Sequence, residues 1–170
     1  MGAGKIFSVL AGLLTIVATY FLSFFAFEFF FVTIYLGGIG SMKQIPEMLT
    51  NPDSYATLFS LPTFAIYIIV VVIIFFLISG IFQLIGVKSR VLVIIGSILP
   101  ILIGIYILLY GFGVLPTELS IYTFLFWDAE PLIDGIIPLK ILELDTVDIG
   151  TYVLIAGGFL GLIGGFAGRD

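Results

Sequence analysis

The 170-residue chain contains no cysteine and no histidine, and these two absences exclude several classes of function. Without cysteine there is no disulfide framework, thiolate metal site or thiol nucleophile. Without histidine the chain lacks the usual ligand of haem, copper and zinc, and also the commonest acid–base side chain. No Gly-x-Ser-x-Gly motif and no pair of intramembrane aspartates takes their place. We therefore expect a protein that is not an enzyme and that uses neither a cofactor nor a metal.

Charged residues are also scarce, because they make up only 10% of the chain and give it a net charge of −5. A nucleic-acid partner calls for a basic patch, so we expect none. Hydrophobic residues, in contrast, make up 61% of the chain, and its mean hydropathy is +1.33. A soluble domain of this size needs a far more polar surface, so the composition indicates an integral membrane protein.

Two long apolar runs joined by a short basic turn organise the centre of the chain. The first run covers residues 62–87, the second covers residues 91–113, and neither contains a charged side chain. Because a helix rises about 1.5 Å per residue, about 20 residues cross a hydrocarbon core of about 30 Å. The turn at 88–90 is so short that the two helices must be antiparallel neighbours. Its basic residues, Lys88 and Arg90, predict that it faces the cytoplasm.

Two further runs complete a predicted all-α bundle of four transmembrane helices. Residues 6–36 are much longer than the apolar region of a signal peptide, which has about 7–15 residues, so we interpret them as a long first helix. Residues 150–168 are just long enough for a fourth span. The placement of Lys and Arg predicts cytoplasmic termini and outer loops at 37–61 and 114–149. We expect a cell-surface membrane as the location.

This layout has a smaller first outer loop and a larger second one, and it resembles the topology of tetraspan groups such as claudin-like and tetraspanin proteins. The paired outer-loop cysteines of those groups are missing here, as are their Cys-Cys-Gly and Trp-Gly-Leu-Trp signatures. The resemblance concerns topology, and it implies a role in adhesion or scaffolding.

The two outer loops differ in composition. Glycines and prolines interrupt residues 37–61, so we expect an ordered but mostly irregular loop with a short helical turn at 42–49. Residues 114–149 mix β-branched and aromatic side chains, which predicts either short strands or an interfacial helix. The acidic outer surface is predicted to consist of Asp128, Glu130, Asp134, Glu143, Asp145 and Asp148. The predicted anchors at the membrane–water boundary are Trp127, Tyr122 and Tyr152.

Glycines recur at helical spacing in the third and fourth spans. Small residues every fourth position form a smooth groove that lets another helix backbone come close. Three partners are open for this groove: a neighbouring span of the same chain, a second subunit, or the water of a pore. The predicted helix-packing residues are Gly157, Gly161, Gly165, Gly164, Gly168, Gly96 and Gly104.

Two polar side chains, Glu28 and Gln83, lie inside the predicted spans and are candidate contacts for an ion or a partner. If the first helix begins near Lys5, Glu28 lies roughly 34 Å along its axis, beyond a core of about 30 Å. It would then be solvated among the outer headgroups, whereas a more buried position would favour an ion, proton or partner contact. Gln83 is predicted near the inner end, so the two side chains cannot pair.

The leading functional hypothesis is a non-catalytic structural, scaffolding or accessory subunit. It would assemble through transmembrane helix packing and present acidic outer loops to partners. Membrane lipids and either identical copies or other membrane subunits are the expected partners. The alternative is the protomer of an oligomeric channel or transporter with a pore between subunits.

Overall fold

A computed structural model describes residues 2–29, 32–128, 138–140, 143–144 and 147–167, and for residues 28, 29, 32, 143 and 144 it describes the backbone only. The structure is 79% helical and includes a small sheet. In its described part, three helices are long and apolar enough to cross a membrane. The number is four if Pro52–Phe59 and Thr63–Leu77, which are bent by 96° relative to each other, count as one span.

The helices and strands are numbered in chain order. The helices are α1 (Ala3–Phe21), α2 (Gly38–Thr50), α3 (Pro52–Phe59), α4 (Thr63–Leu77), α5 (Ser79–Ile85), α6 (Arg90–Gly111), α7 (Thr117–Ser120) and α8 (Ile149–Phe166). The strands are β1 (Phe25–Phe29), β2 (Val32–Leu36), β3 (Trp127–Asp128), β4 (Glu143–Leu144) and β5 (Val147–Asp148). Short 3₁₀ segments cover Gly86–Lys88 and Ile121–Phe126.

Four helices, α1, α5, α6 and α8, form a closed ring in which each packs antiparallel to its two neighbours. α6 and α8 occupy the apolar runs predicted at 91–113 and 150–168. The run predicted as one span at 62–87 consists of α4 and α5, which are separated at Ile78. Helical hydrogen bonding continues across this break, because the Ile78 N–H donates to the Ile74 carbonyl at 3.1 Å. α4 packs chiefly on α2 and α3, whereas α5 packs on α1 and α6.

The prediction of one helix over residues 6–36 is wrong, because α1 ends at Phe21 and the chain continues as a β-hairpin. Strands β1 and β2 pair antiparallel, with Phe25 opposite Leu36 and Phe29 opposite Val32. Aromatic and β-branched residues dominate both strands, and such residues favour a pleated, half-buried surface. High hydropathy alone does not separate this kind of strand from a membrane helix.

The first outer loop is more regular than predicted, since α2 and α3 fill most of it. Pro46 lies inside α2, and Pro52 occupies the first turn of α3, where a missing N–H costs little. α3 is followed by Ser60, whose backbone is left-handed (φ 54°) and whose N–H donates to the Ala56 and Thr57 carbonyls. α4 begins three residues later, at an angle of 96° to α3.

The described part of the second outer loop contains both kinds of element that its composition allows. α7 and the following 3₁₀ segment are helical, and β3 then pairs antiparallel with β2. This pairing extends the hairpin to a three-stranded sheet in the order β1-β2-β3. Strands β4 and β5 form a separate two-stranded ladder just before α8. We use the term cap for α2, α3, α7, the neighbouring 3₁₀ segment and the five strands.

Aromatic side chains join the cap to α4. The ring of Phe76 on α4 lies 6.5 Å from that of Phe24 and 6.2 Å from that of Phe126, in edge-on arrangements. All three side chains are buried. Such edge-on pairs are the arrangement that the charge distribution of aromatic rings favours. The start of the hairpin, α4 and the second outer loop therefore share one apolar core.

Candidate functional site

A buried polar cluster lies where the helices of the ring meet, and we call it the Gln83 cluster. The side chain of Gln83 is 0% exposed, and its Oε1 accepts a 2.9 Å hydrogen bond from Thr15 Oγ1. Its Nε2 donates to the Gly96 carbonyl at 3.1 Å and to Ser97 Oγ at 3.2 Å. Ser97 Oγ donates in turn to the Val93 carbonyl at 2.6 Å. Both amide protons of Gln83 are thus used, and the cluster links α1, α5 and α6.

The fourth helix closes the cluster through a glycine. A Cβ atom built on Gly161 of α8 would clash with Ser97 Oγ and would lie 3.0 Å from Gln83 Nε2. On the opposite side, a Cβ on Gly80 would lie only 2.6 Å from a side-chain carbon of Ile16. Side-chain hydrogen bonds between helices are enclosed here because glycine lets the backbones approach closely. The site is uncharged and holds helices together, and it contains no group that titrates near neutral pH.

The glycines of α8 divide between two neighbouring helices. Cβ atoms built on Gly157 and Gly164 would lie 2.7 Å and 2.8 Å from hydroxyl oxygens of α1. Gly161 and Gly165 instead face α6, where a Cβ on Gly165 would lie 2.6 Å from Ile94 Cγ1. The stripe predicted as one surface therefore serves two helix contacts, and both contacts are made inside the chain.

The remaining predicted packing glycines are placed as follows. Gly96 of α6 faces α5, and a Cβ there would lie 2.7 Å from the Ser79 carbonyl. Gly104 of α6 faces Ile155 of α8. Gly168 lies outside the described residues.

The predicted packing residues do not include the surface of α1 that receives α8. Gly4, Ser8, Ala11, Thr15 and Ala18 are buried, and their spacing alternates between four and three residues. This 3–4 alternation is the pattern of a helix that packs lengthwise on another helix, and small residues make that packing close. The signal was present in the sequence, because small residues at these positions interrupt larger apolar ones.

An ion pair forms the main charged contact among the described residues of the cap. Lys43 Nζ on α2 lies 2.7 Å from Asp128 Oδ1 on β3, and the Asp128 side chain is only 2% exposed. A charge-assisted bond of this length between a helix and a strand fixes the two elements relative to each other. Since the carboxylate is desolvated, removal of the lysine alone would leave a buried charge, which is strongly unfavourable.

The predicted acidic outer surface is wrong for two of its six residues. Asp128 and Asp148 are buried, with 3% and 2% of their surface exposed. Asp128 is turned inward by the Lys43 ion pair, and the Asp148 N–H donates to the Phe24 carbonyl at 3.0 Å. The other four residues are Glu130, Asp134, Asp145 and the side chain of Glu143, and they lie outside the described residues.

Glu28 is not in a transmembrane helix, so its proposed depth along α1 is wrong. It lies in β1, where its backbone pairs with Thr33 of β2. The side chain of Glu28 lies outside the described part of the structure. Its predicted position depended on a helix that would have continued to Leu36.

The predicted aromatic anchors lie in the cap or at the start of α8. The Trp127 ring lies 5.3 Å from that of Phe124, and the Tyr122 ring stacks on that of Phe59 at 5.0 Å. Tyr152 is half-buried in the first turn of α8. Two of the three rings therefore contribute to the packing of the cap.

A neutral tyrosine connects the two helices of the first outer loop. The Tyr55 hydroxyl on α3 donates to Gln44 Oε1 on α2 at 2.7 Å. Burial raises the pKa of Tyr55 to about 12, and the neighbouring Glu47 carboxylate adds to the effect. The phenol therefore remains a hydrogen-bond donor throughout the physiological pH range.

No group of three or more acidic side chains that could hold a metal ion occurs in the described ranges. No protein-family model matches the chain, and no curated protein or solved structure matches it either. The chemistry of the site therefore rests on its own geometry, which is that of an uncharged contact between helices.

The Gln83 cluster predicts a measurable coupling between α1 and α5. We expect Gln83→Leu and Thr15→Val each to destabilise the protein, since each leaves the partner group without its hydrogen bond. A double-mutant cycle, measured by unfolding in detergent, should give a coupling energy of about 0.6 kcal/mol, with about 1.7 kcal/mol as an upper value. Strict additivity of the two effects would show that the hydrogen bond contributes nothing.

We expect the stability of the protein to depend strongly on the size of the side chain at position 161. Gly161→Leu should lower the free energy of unfolding by about 3 kcal/mol or more, because the new side chain collides with Ser97 and overpacks the centre of the bundle. Ala156→Leu is the matched control, since Ala156 is exposed on the same helix. Thermal unfolding of both purified variants checks this, and equal melting temperatures would contradict it.

Proposed function

We propose that the chain is a non-catalytic membrane protein that acts as an accessory or scaffolding subunit. The observation that carries this proposal is the separation of polar and apolar side chains across the bundle. The polar side chains of the Gln83 cluster bond to one another in the interior. Apart from Arg90 at the first position of α6, the exposed positions of α4 and α6 are apolar or aromatic, as at Phe64 and Leu102, which are 65% and 56% exposed. Such a surface suits contact with lipid rather than the lining of a water-filled path.

Association with other subunits would use surfaces other than the glycine faces of α8. Those faces are filled by α1 and α6 of the same chain. The cap offers a different surface, because Glu47 on α2, Asp53 on α3 and Glu118 on α7 are exposed. We propose that these carboxylates supply the acidic surface presented to a partner, in place of the buried Asp128 and Asp148.

The channel alternative has less support from the geometry. A pore between copies would be lined by outward faces of the helices. Apart from Arg90 at the start of α6, the exposed residues of α4 and α6 are apolar or aromatic. A conducting path usually shows polar or charged lining, or a hydrophobic constriction that gates by dewetting.

We further propose that the cap lies outside the cell and the opposite end of the bundle lies in the cytoplasm. Lys5 near the start of α1 lies at the same end as Lys88 and Arg90, because α1 and α5 run antiparallel. Basic residues at one end of a bundle favour the cytoplasmic side.

Cysteine labelling tests this orientation without background, since the chain has no cysteine of its own. Ser54→Cys places a thiol on the exposed surface of α3, and Ser89→Cys places one at the opposite turn. In intact cells a membrane-impermeant maleimide should label the first variant and not the second. Both should react after permeabilisation. Labelling of the Ser89 variant alone in intact cells would show that the protein has the opposite orientation.

Native mass spectrometry after gentle extraction tests the proposed role. We expect the chain to appear with different membrane subunits, and the complex to weaken at high salt because acidic contacts are screened.

Purified chain should give no conductance in planar bilayers across the voltage range, with a known pore-forming protein as the positive control. A ring of identical copies that conducts would instead establish the channel alternative.

A further inference from the structure

An apolar groove of about 570 Å³ opens in the cap near the end of α6. Leu58 of α3 forms one wall and Tyr110 of α6 another, and the chain from α7 to β3 completes it with Ile121, Phe124 and Trp127. This volume lies within the range of about 300–1,000 Å³ that is typical of small-molecule sites. None of the residues that line the groove in the described part of the chain is charged.

Trp127 Nε1 in the wall of the groove is buried and has no hydrogen-bond partner among the described residues. The hydroxyls of Ser120 and Thr123, in contrast, are engaged with the local backbone. Ser120 Oγ donates to the Pro116 carbonyl at 3.1 Å, and Thr123 Oγ1 donates to the Ser120 carbonyl at 2.7 Å. Their protons are therefore not directed at a ligand. An uncharged occupant with a long apolar part fits these walls, because a charged one would lose its hydration without compensation.

The position of the groove indicates where such an occupant comes from. Tyr110 lies in the last turn of a candidate membrane span, and Leu58 lies in α3, which turns by 96° from α4. The groove is thus at the level where two neighbouring spans end. Exposed apolar residues on the adjoining ends of α4 and α6, Phe64 and Leu109, continue the lipid-facing surface toward it. Trp and Tyr side chains are favoured at this depth of a membrane.

We propose that this groove binds one acyl chain of a membrane lipid from the leaflet on the cap side. The chain would enter laterally between the ends of α4 and α6 and lie against Leu58, Ile121 and Phe124. The inference depends on the membrane location and is independent of the proposed accessory role, which could fail while the groove still binds lipid.

Tryptophan fluorescence tests this directly, because Trp127 is the only tryptophan and lies in the wall of the groove. The purified protein in excess detergent is titrated with a phospholipid that carries bromine atoms on its acyl chains. Bromine quenches tryptophan only at short range. We expect saturable quenching, and we expect its loss in Leu58→Phe and in Ile121→Phe, which add a ring to opposite walls. Leu102→Phe is the matched control, since Leu102 is exposed on α6 two turns away.

Several results would overturn the proposal. Quenching that rises linearly with the bulk lipid fraction, equally in all four proteins, would indicate only the lipid shell around the bundle. Absence of quenching, or saturable quenching that both filled variants retain, would place the lipid elsewhere. Loss of quenching as the protein concentration rises would assign the groove to a second copy. The two filled variants are tested separately, so a folding defect in one does not affect the other, and melting temperatures identify such a defect.

Discussion

The fold depends on backbone approach that only glycine permits at the centre of the bundle. Helices in lipid gain little from burying apolar surface against one another, so close packing and interhelical hydrogen bonds must hold them together. Gly161 lets α8 close over Gln83 and Ser97, and Gly80 does the same for α5 on α1. Once the four helices are this close, the polar side chains lie inside and the large apolar ones outside. The apolar character of the outer surface is therefore a consequence of the small residues within.

The few residues that follow α1 form one attachment of the cap to this bundle. The Leu139 N–H donates to the Phe21 carbonyl at 2.7 Å, and the Ser23 N–H donates to the Leu139 carbonyl at 3.1 Å. The Phe24 carbonyl accepts both the Asp148 N–H and Thr151 Oγ1. The end of α1, the second outer loop and the start of α8 thus meet at one backbone segment. The hairpin that begins there carries β3, and the Lys43 ion pair connects β3 to α2.

Sequence patterns predict the membrane class and the apolar runs, because hydropathy over about 20 residues depends little on detail. They do not predict where α1 ends, since the residues from Phe25 to Leu36 are as apolar as a helix and only their β-branched and aromatic character differs. The wrong placement of Glu28 in a transmembrane helix follows from the wrong prediction of where α1 ends. The inward orientation of Asp128 depends on Lys43, which is 85 positions away in the chain. Such a pairing exists only in the folded protein, and Thr15 is likewise 68 positions away from its partner Gln83.

The break at Ile78 gives the apolar run at 62–87 two structural roles. Its first half, α4, packs on the cap helices α2 and α3, while its second half, α5, is a member of the ring. Tyr20 of α1 donates a 2.8 Å hydrogen bond to the Leu77 carbonyl, just before the break. One continuous apolar run therefore contributes both to the core of the cap and to the ring of helices. The Tyr20 hydrogen bond ties the junction between its two halves to α1.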